Sequence, residues 1–247
     1  IKNLFYSSDF FSIICFLLLT ASSNAVFADI AKVDSNFDGK MDQWRHTNAN
    51  GEILKIEHDT NFDGKIDQVE YFAENKILIK AEFDSNKDGK MDQVQYYSEQ
   101  GKLERIEKDS KNTGRFDWQE IFDSNGKIVR IEIDESGDGK ADIWQFFTAN
   151  QKLEQSKYDT DYNGSIDRWD YFVNDSLEKV GFDTNSDQKP DQWQYFNGAN
   201  LLVRVENDTN FDGKADYWEY FDSSGKLTKR EADRNFDGKP DMVNDQQ

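Results

Sequence analysis

The sequence predicts an all-β chain built from tandem β-hairpins. Three observations carry that expectation. From Asp34 onward one unit recurs, with starts at Asp34, Asp59, Asp84, Asp109, Asp134, Asp159, Asp183, Asp208 and Asp233, a spacing of 25 residues broken once by a spacing of 24. After each start, aromatic and β-branched residues alternate with polar ones, as in Gln68-Val69-Glu70-Tyr71-Phe72 and Tyr217-Trp218-Glu219-Tyr220-Phe221, which is strand rather than helix periodicity. Turn signals such as Asn50-Gly51, Gln100-Gly101 and Asn125-Gly126 then separate two strand-like runs per unit. No linker or composition shift divides the array, so residues 29–247 read as a single repeat domain. The expected form is an elongated antiparallel solenoid or meander, with a closed propeller- or barrel-like array as the alternative.

The first 28 residues differ from the array. Lys2 is followed by an apolar run from Phe10 to Thr20, and Val26-Phe27-Ala28 fits the small-residue pattern before a signal-peptidase cut, with Asp29 as the mature start. The run is too short to span a bilayer core of about 30 Å, although an uncleaved anchor is the competing reading. A signal peptide over 1–28 implies export, to the medium, a periplasm or the cell surface, and a mature chain without a membrane span. The lone cysteine, Cys15, lies inside this segment, so neither a disulfide nor a Cys-based zinc site is available within the chain.

Composition narrows the function classes. The 247 residues hold 30 Lys plus Arg against 49 Asp plus Glu, a formal net charge of −19. Such a surface repels phosphate and anionic lipid, which argues against nucleic-acid partners. A hydrophobic share of 36% with 32% charge would suit a disordered chain, but 6 Trp, 10 Tyr and 19 Phe do not. The two histidines, His46 and His58, are expected to be solvated residues near strands. Catalysis is not expected. A dyad drawn from repeat positions would occur many times over, and the breaks in the pattern (Lys111, Thr113, Trp118, Gln188) pair no nucleophile with a base.

Each element of the unit can be justified in order. Counting the first Asp as offset 0, facing offset 13 with offset 19 across the turn pairs 12 with 20, 11 with 21 and 10 with 22. Offsets 10, 12, 20 and 22 then share an apolar face, as in Trp193, Tyr195, Val203 and Val205. Offsets 11 and 21 form complementary pairs on the other face: Glu70 with Lys80, Gln95 with Arg105, Glu120 with Arg130, Gln194 with Arg204, Glu219 with Lys229. The first unit breaks the rule with Arg45 opposite Lys55. An apolar face this long must be hidden, so the Trp and Tyr stripe is expected to be core. The sharper alternative is a sugar- or choline-binding ladder, since Asp191 to Gly198 resembles the hairpins of choline-binding repeats.

The unit opens with the loop Asp-x-Asn-x-Asp-Gly-Lys-x-Asp. Oxygen-bearing side chains at alternating positions 1, 3 and 5, with a glycine at 6 for the tight turn, suit a hard cation that takes six to eight oxygens. Packing several carboxylates into one loop is repulsive without such a cation. Asp, Asn and Gly also make good turns, but eight loops with the same acidic offsets exceed what turns require.

These nine residues resemble the calcium loop of EF-hands, dockerins and related extracellular Asp-rich calcium repeats. The flanks depart from the EF-hand, being strands rather than helices. Five or so protein oxygens plus waters are therefore expected, without Glu70 or Glu219 at loop position 12 as a bidentate ligand. The resemblance implies Ca²⁺ bound by Asp34, Asn36, Asp38, Asp42 and the Lys40 carbonyl in loop 1. Loop 2 would use Asp59, Asn61, Asp63, Lys65 and Asp67, and loop 3 Asp84, Asn86, Asp88, Lys90 and Asp92. Loop 5 would use Asp134, Ser136, Asp138, Lys140 and Asp142, and loop 6 Asp159, Asp161, Asn163, Ser165 and Asp167. In loop 7, with Asp183, Asn185, Asp187, Lys189 and Asp191, Gln188 replaces the glycine and puts the turn in question. Loop 8 offers Asp208, Asn210, Asp212, Lys214 and Asp216, and loop 9 Asp233, Asn235, Asp237, Lys239 and Asp241. Loop 4, with Lys111 and Thr113 at positions 3 and 5, is expected not to bind.

The resulting expectation is an exported calcium-binding repeat protein with a structural, adhesive or surface-interaction role, whose partner would be a glycan or a cell-surface protein. Calcium would be part of the fold rather than a signal. The alternative is a carbohydrate- or choline-binding module using the Trp and Tyr stripe.

Overall fold

The computed structural model of the protein describes residues 29–245. The expected signal segment, 1–28, lies outside the described residues. The array opens with β1 (Asp29–Val33), followed by the hairpin strands β2 (Gln43–Thr47), β3 (Ile53–His58), β4 (Gln68–Phe72), β5 (Leu78–Phe83), β6 (Gln93–Tyr97) and β7 (Leu103–Lys108). It continues through β8 (Trp118–Phe122), β9 (Ile128–Ile133), β10 (Ile143–Phe147), β11 (Leu153–Tyr158), β12 (Arg168–Val173) and β13 (Ser176–Phe182). It ends with β14 (Gln192–Phe196), β15 (Leu202–Asn207), β16 (Tyr217–Phe221), β17 (Leu227–Ala232) and β18 (Met242–Asp245).

Each strand pairs antiparallel with its neighbours in sequence, which gives one 18-stranded meander. Among the described residues strands touch only those neighbours, so β1 and β18 do not meet and the sheet stays open. The closed alternative is not adopted. No described helix is long and apolar enough to cross a membrane.

The register departs from the sequence count by one residue. Thr47 faces Ile53 as expected, but the ladder shifts between His46 and Thr47, so His46 faces Lys55, Arg45 faces Ile56 and Trp44 faces Glu57. The next hairpin repeats it: Tyr71 faces Lys80 and Glu70 faces Ala81. Likewise Gln95 faces Ile106, Glu120 faces Ile131, Gln194 faces Val205 and Glu219 faces Arg230. The cause is a β-bulge beside the turn, which leaves one residue of the returning strand, Leu54 in the first hairpin, unpaired. In the hairpin missing a residue, Asn174 and Asp175 both take positive φ, as a two-residue turn demands.

This shift redistributes the two faces. The aromatic stripe at offsets 10 and 12 shares its face with cations at offset 21 and glutamates at 23, while offset 22 lies opposite. Buried apolar side chains therefore sit on both faces: Val69, Val94 and Trp169 on one, Ala81, Ile131, Val180 and Val205 on the other. The single apolar face expected from the sequence does not form, and most strand positions are half-buried.

The mixed face is held by a repeated side-chain ladder. The Tyr71 hydroxyl donates to Glu82 at 2.9 Å, Tyr96 to Glu107 at 3.0 Å, Tyr195 to Glu206 at 2.7 Å and Tyr220 to Glu231 at 2.9 Å. Cations lie over the rings. Lys80 Nζ is 5.3 Å from the Tyr71 centroid and 6.0 Å from that of Tyr96, and Arg105 and Arg204 sit 4.1 Å over Tyr96 and Tyr195. Lys179 stands 4.7 and 4.5 Å from the Tyr171 and Trp193 rings. Burial, reinforced by Glu82, pushes the Tyr71 hydroxyl up to about 12. In the first hairpin His46 takes the tyrosine's place, with Nε2 2.7 Å from Glu57. It is buried rather than solvated, and His58 lies 3.6 Å from Glu70. The expectation of two solvated histidines is corrected: His46 belongs to the ladder, and His58, half-buried on the opposite face, contacts Gln43 at 3.2 Å as well as Glu70. Burial raises the Glu57 carboxyl, but hydrogen bonds from Lys55 and His46 outweigh it and leave its pKa below the usual range.

Candidate metal loops

All nine Asp-rich loops line one edge of the sheet, and the hairpin turns line the other. Antiparallel alternation dictates this, since each loop joins one hairpin to the next. Successive loops are stitched by backbone: the Asp at position 1 of each loop donates its N–H to the carbonyl at position 9 of the loop before, as in Asp84 to Asp67 at 2.9 Å.

Loop 2 shows the local chemistry. Asp59 accepts the N–H groups of Asp63 at 3.0 Å and Gly64 at 2.8 Å. Asn61 Oδ1 accepts the Asp63 N–H at 2.9 Å, and Asp63 Oδ1 accepts the Lys65 N–H at 2.9 Å. Asp67 accepts from the Thr60 and Asn61 N–H groups and from the Thr60 hydroxyl, the last at 2.6 Å. These bonds fold a nine-residue segment around its own carboxylates. Positive φ is needed at Gly64 (+91°), and Phe62 also takes it (+62°) at position 4.

The bond from the position-6 N–H to the position-1 carboxylate occurs in all nine loops, at 2.6–2.8 Å. Loop 4, with Lys111 and Thr113, keeps it. So does loop 7, where Gln188 holds φ at +69° and donates to Asp183 at 2.6 Å. The turn in question there is formed. Positions 1 and 9 therefore build the loop, and most of those aspartates are buried. At Asp109 and Asp134 burial raises the carboxyl, but the N–H donors outweigh it and leave the pKa lowered.

The side chains at positions 3 and 5 are drawn together. Asn36 Nδ2 donates to Asp38 at 3.2 Å, Asn185 to Asp187 at 3.4 Å, Asn210 to Asp212 at 3.2 Å and Asn235 to Asp237 at 3.3 Å. Loop 5 replaces the amide with Ser136, whose hydroxyl donates to Asp134 at 3.3 Å. Loop 6 goes further. One carboxylate oxygen from each of Asp159, Asp161 and Asp167 lies within 4.8 Å of the other two, the one such set of acidic, His or Cys groups among the described residues. Asp159 is 3% exposed. Asp167 Oδ2 is bonded to Thr160, while Asp167 Oδ1 is buried with no hydrogen-bond partner. A buried carboxylate oxygen left unpaired beside two more carboxylates is costly unless a cation completes it.

No protein-family model matches the chain, and no curated protein does. Solved structures match only distantly. The accessory secretory protein 1, 2 and 3 complex of Streptococcus pneumoniae is 15% identical, with a TM-score of 0.33 over 44% of this chain and 20% of that one. A complex of S. aureus TarM with fondaparinux, α-GlcNAc-glycerol and UDP is 16% identical, with a TM-score of 0.35 over 45% and 21%. The TcdB2–TccC3–Cdc42 complex is 12% identical, with a TM-score of 0.22 over 82% and 12%. The chain thus spans about a fifth or less of each, and none of these likenesses bears on function.

Three features of the loops were not anticipated. Position 2 is usually Ser or Thr, and in five loops its hydroxyl donates to position 9, as in Thr184 to Asp191 at 2.7 Å and Thr209 to Asp216 at 2.8 Å. The recurrence of Asp-Thr and Asp-Ser at loop starts was the available signal. Position 4 is an exposed aromatic in left-handed conformation at Phe37, Phe62, Tyr162, Phe211 and Phe236, with Phe37 90% exposed. Glu70 and Glu219, at position 12, bond within the sheet, to Gln68 at 2.8 Å and Arg230 at 2.9 Å.

Proposed function

We propose that the protein is an exported calcium-binding repeat protein, in which Ca²⁺ at the loop edge is a constituent of the fold and the array serves a structural, adhesive or surface-interaction role. The observation that carries this is loop 6. Three carboxylates converge there, and the buried Asp167 Oδ1 lacks a partner. An all-oxygen set of flexible geometry suits Ca²⁺ better than Mg²⁺, which demands stricter octahedral geometry. Apart from loop 4, the other loops offer the same kind of set, three aspartates at positions 1, 5 and 9 with an amide or hydroxyl oxygen at position 3. Neutralising these loops relieves the repulsion of a chain at −19, so binding free energy becomes folding free energy. A glycan or a cell-surface protein is the class of partner proposed for the exposed faces.

The sugar- or choline-binding alternative has less support. A quaternary ammonium would seek the faces of Tyr and Trp rings, and at Tyr71, Tyr96, Tyr171, Trp193 and Tyr195 the protein's own Lys and Arg already lie over them.

The test is thermal unfolding of residues 29–247 by circular dichroism, in excess EDTA and in millimolar Ca²⁺. A large rise in midpoint with Ca²⁺ is expected. An unchanged midpoint would reduce the loops to turns and return attention to the aromatic face.

A further inference from the structure

The side-chain bonds that tie neighbouring repeats together are unevenly distributed. Among the described residues, every such bond joining one repeat's loop or turn to the next falls between Asn86 and Asp175. On the loop edge, Asn86 Nδ2 donates to Asn112 Oδ1 at 2.8 Å, which joins loops 3 and 4. Lys111 Nζ donates to the carbonyls of Asp134 at 3.2 Å and Glu135 at 3.1 Å, and lies 3.8 Å from Asp117 Oδ2 of its own loop. Arg115 Nη1 donates to the Gly137 carbonyl at 2.9 Å. Tyr162 of loop 6 faces Glu135 of loop 5. On the turn edge, Lys102 Nζ reaches the Ser124 carbonyl at 2.8 Å, Lys127 reaches the Ala149 carbonyl, and Lys152 reaches Asp175 at 2.6 Å. Gln151 exchanges two hydrogen bonds with the backbone of Ile128, at 2.9 and 3.1 Å.

Loop 4 is the centre of this lacing. Its two departures from the ligand pattern do more than delete a site. The ammonium of Lys111 sits beside the Asp117 carboxylate and spans to the carbonyls of loop 5, supplying as a tethered charge what a free cation would supply elsewhere. Arg115, where most other loops carry Lys, adds a second anchor to the same neighbour.

We infer that repeats 3 to 6 form a central block held together without metal by the Lys111–Arg115 clamp and the turn-edge lysines, so that cation depletion loosens the array from both ends while its middle persists. In a repeat array each unit is stabilised by its own folding and by its interfaces with its neighbours, so extra interface bonds in the middle localise stability there. The dependence of the flanks on cation rests on the calcium reading above. The greater protection of the centre does not.

Hydrogen exchange on the full chain tests this, in excess EDTA and in millimolar Ca²⁺. In EDTA, amides of β6 to β12 are expected to exchange at least about tenfold more slowly than those of β2 to β5 and β14 to β17. Ca²⁺ should slow the flanks and narrow the gap. Lys111→Met with Arg115→Met should remove most of the central advantage in EDTA. Lys102→Met with Lys127→Met should lower it from the other edge, which keeps the test open if the first pair does not fold. Uniform protection in EDTA, or a central advantage untouched by both pairs, would overturn the inference. A parallel terbium titration separates the two readings. No bound terbium with an intact central advantage would sink the calcium reading alone.

Discussion

The backbone N–H of Asp59 donates to the carbonyl of Asp42 at 2.9 Å, which ties the first residue of loop 2 to the last of loop 1. The same bond recurs at every later junction, through Asp233 to Asp216 at 2.8 Å. Loops so joined stand two strands apart, roughly 9.5 Å at ordinary strand spacing. That is about one Debye length in physiological salt, so cations in adjacent loops would interact weakly and fill largely one by one. The stitch makes no use of metal. It fixes the backbone of positions 1 and 9, while positions 3 and 5 stand outside it.

That division of labour predicts two kinds of mutant. Asp59→Ala strips the acceptor from the Asp63 and Gly64 N–H groups, and should cost about 2–3 kcal/mol in urea unfolding in EDTA and more in Ca²⁺, where it also removes a ligand of loop 2. Asp161→Asn keeps an oxygen for the Asn163 N–H, gives up the exposed bond from Asn163 Nδ2 and removes one of three converging carboxylates. It should be near neutral in EDTA and lose part of the stabilisation that Ca²⁺ confers. Equal behaviour of the two variants would mean that position 1 and position 3 do not differ in role.

Loop 4 can be returned to the repeat pattern. Lys111→Asn with Thr113→Asp restores the amide and the carboxylate at positions 3 and 5 on a frame whose Asp109–Gly114 bond, at 2.6 Å, is already formed. The variant should bind one more terbium ion than the natural chain and should be less stable in EDTA, having lost its tethered ammonium. An unchanged stoichiometry would mean that side-chain identity at these positions does not decide binding.

The strand alternation and the 25-residue period made the meander legible, because both are local signals. The bulge was not. Whether Lys80 faces Glu70 or Tyr71 depends on one unpaired residue beside the turn, and hydrophobic alternation fits either count until the cross-strand partners are known. The error moved the basic residues from one face to the other and hid the Tyr–Glu–Lys ladder. At the loops, the acidic spacing picked out the side chains that fold inward, but it could not separate the mostly buried aspartates at positions 1 and 9 from the exposed ones at position 5, which accept the position-7 N–H. His46 was misread because a histidine in a tyrosine's slot looks polar in isolation and becomes buried only through Glu57.

The left-handed residues predict stabilising changes. Phe37 at φ +63° and Gln188 at φ +69° hold a conformation that costs a side-chain-bearing residue roughly 1–2 kcal/mol. Phe37 is almost fully exposed, so little packing offsets the cost. Phe37→Gly and Gln188→Gly should each raise stability by about 0.5–1 kcal/mol, after the entropy glycine gains in the unfolded chain is subtracted. Midpoints in urea with EDTA present would show it. A loss at Phe37 would reveal packing by the ring that outweighs its strain.

The Tyr–Glu ladder gives the sheet an alkaline limit. Tyr71 titrates near 10 when unfolded and about 12 when folded, raised first by burial and then by its bond to Glu82. The folded state therefore favours the protonated hydroxyl. The associated stability is fully present below pH 10 and is lost as pH rises from about 10 to about 12. The hydroxyl is only half-buried, so solvent screening reduces its share to about 1 kcal/mol. Tyr71→Phe should thus be less stable than the natural chain at pH 8 by about that amount, and the deficit should shrink as pH passes 11. Tyr96, Tyr195 and Tyr220 are raised by the same causes, so the natural chain declines across the same range and the difference between the two proteins isolates Tyr71. Urea midpoints measured in EDTA at pH 8 and pH 11 suffice. A deficit that stays constant with pH would mean that Tyr71 contributes through its ring alone, under Lys80, and that its hydroxyl bond to Glu82 adds nothing to stability.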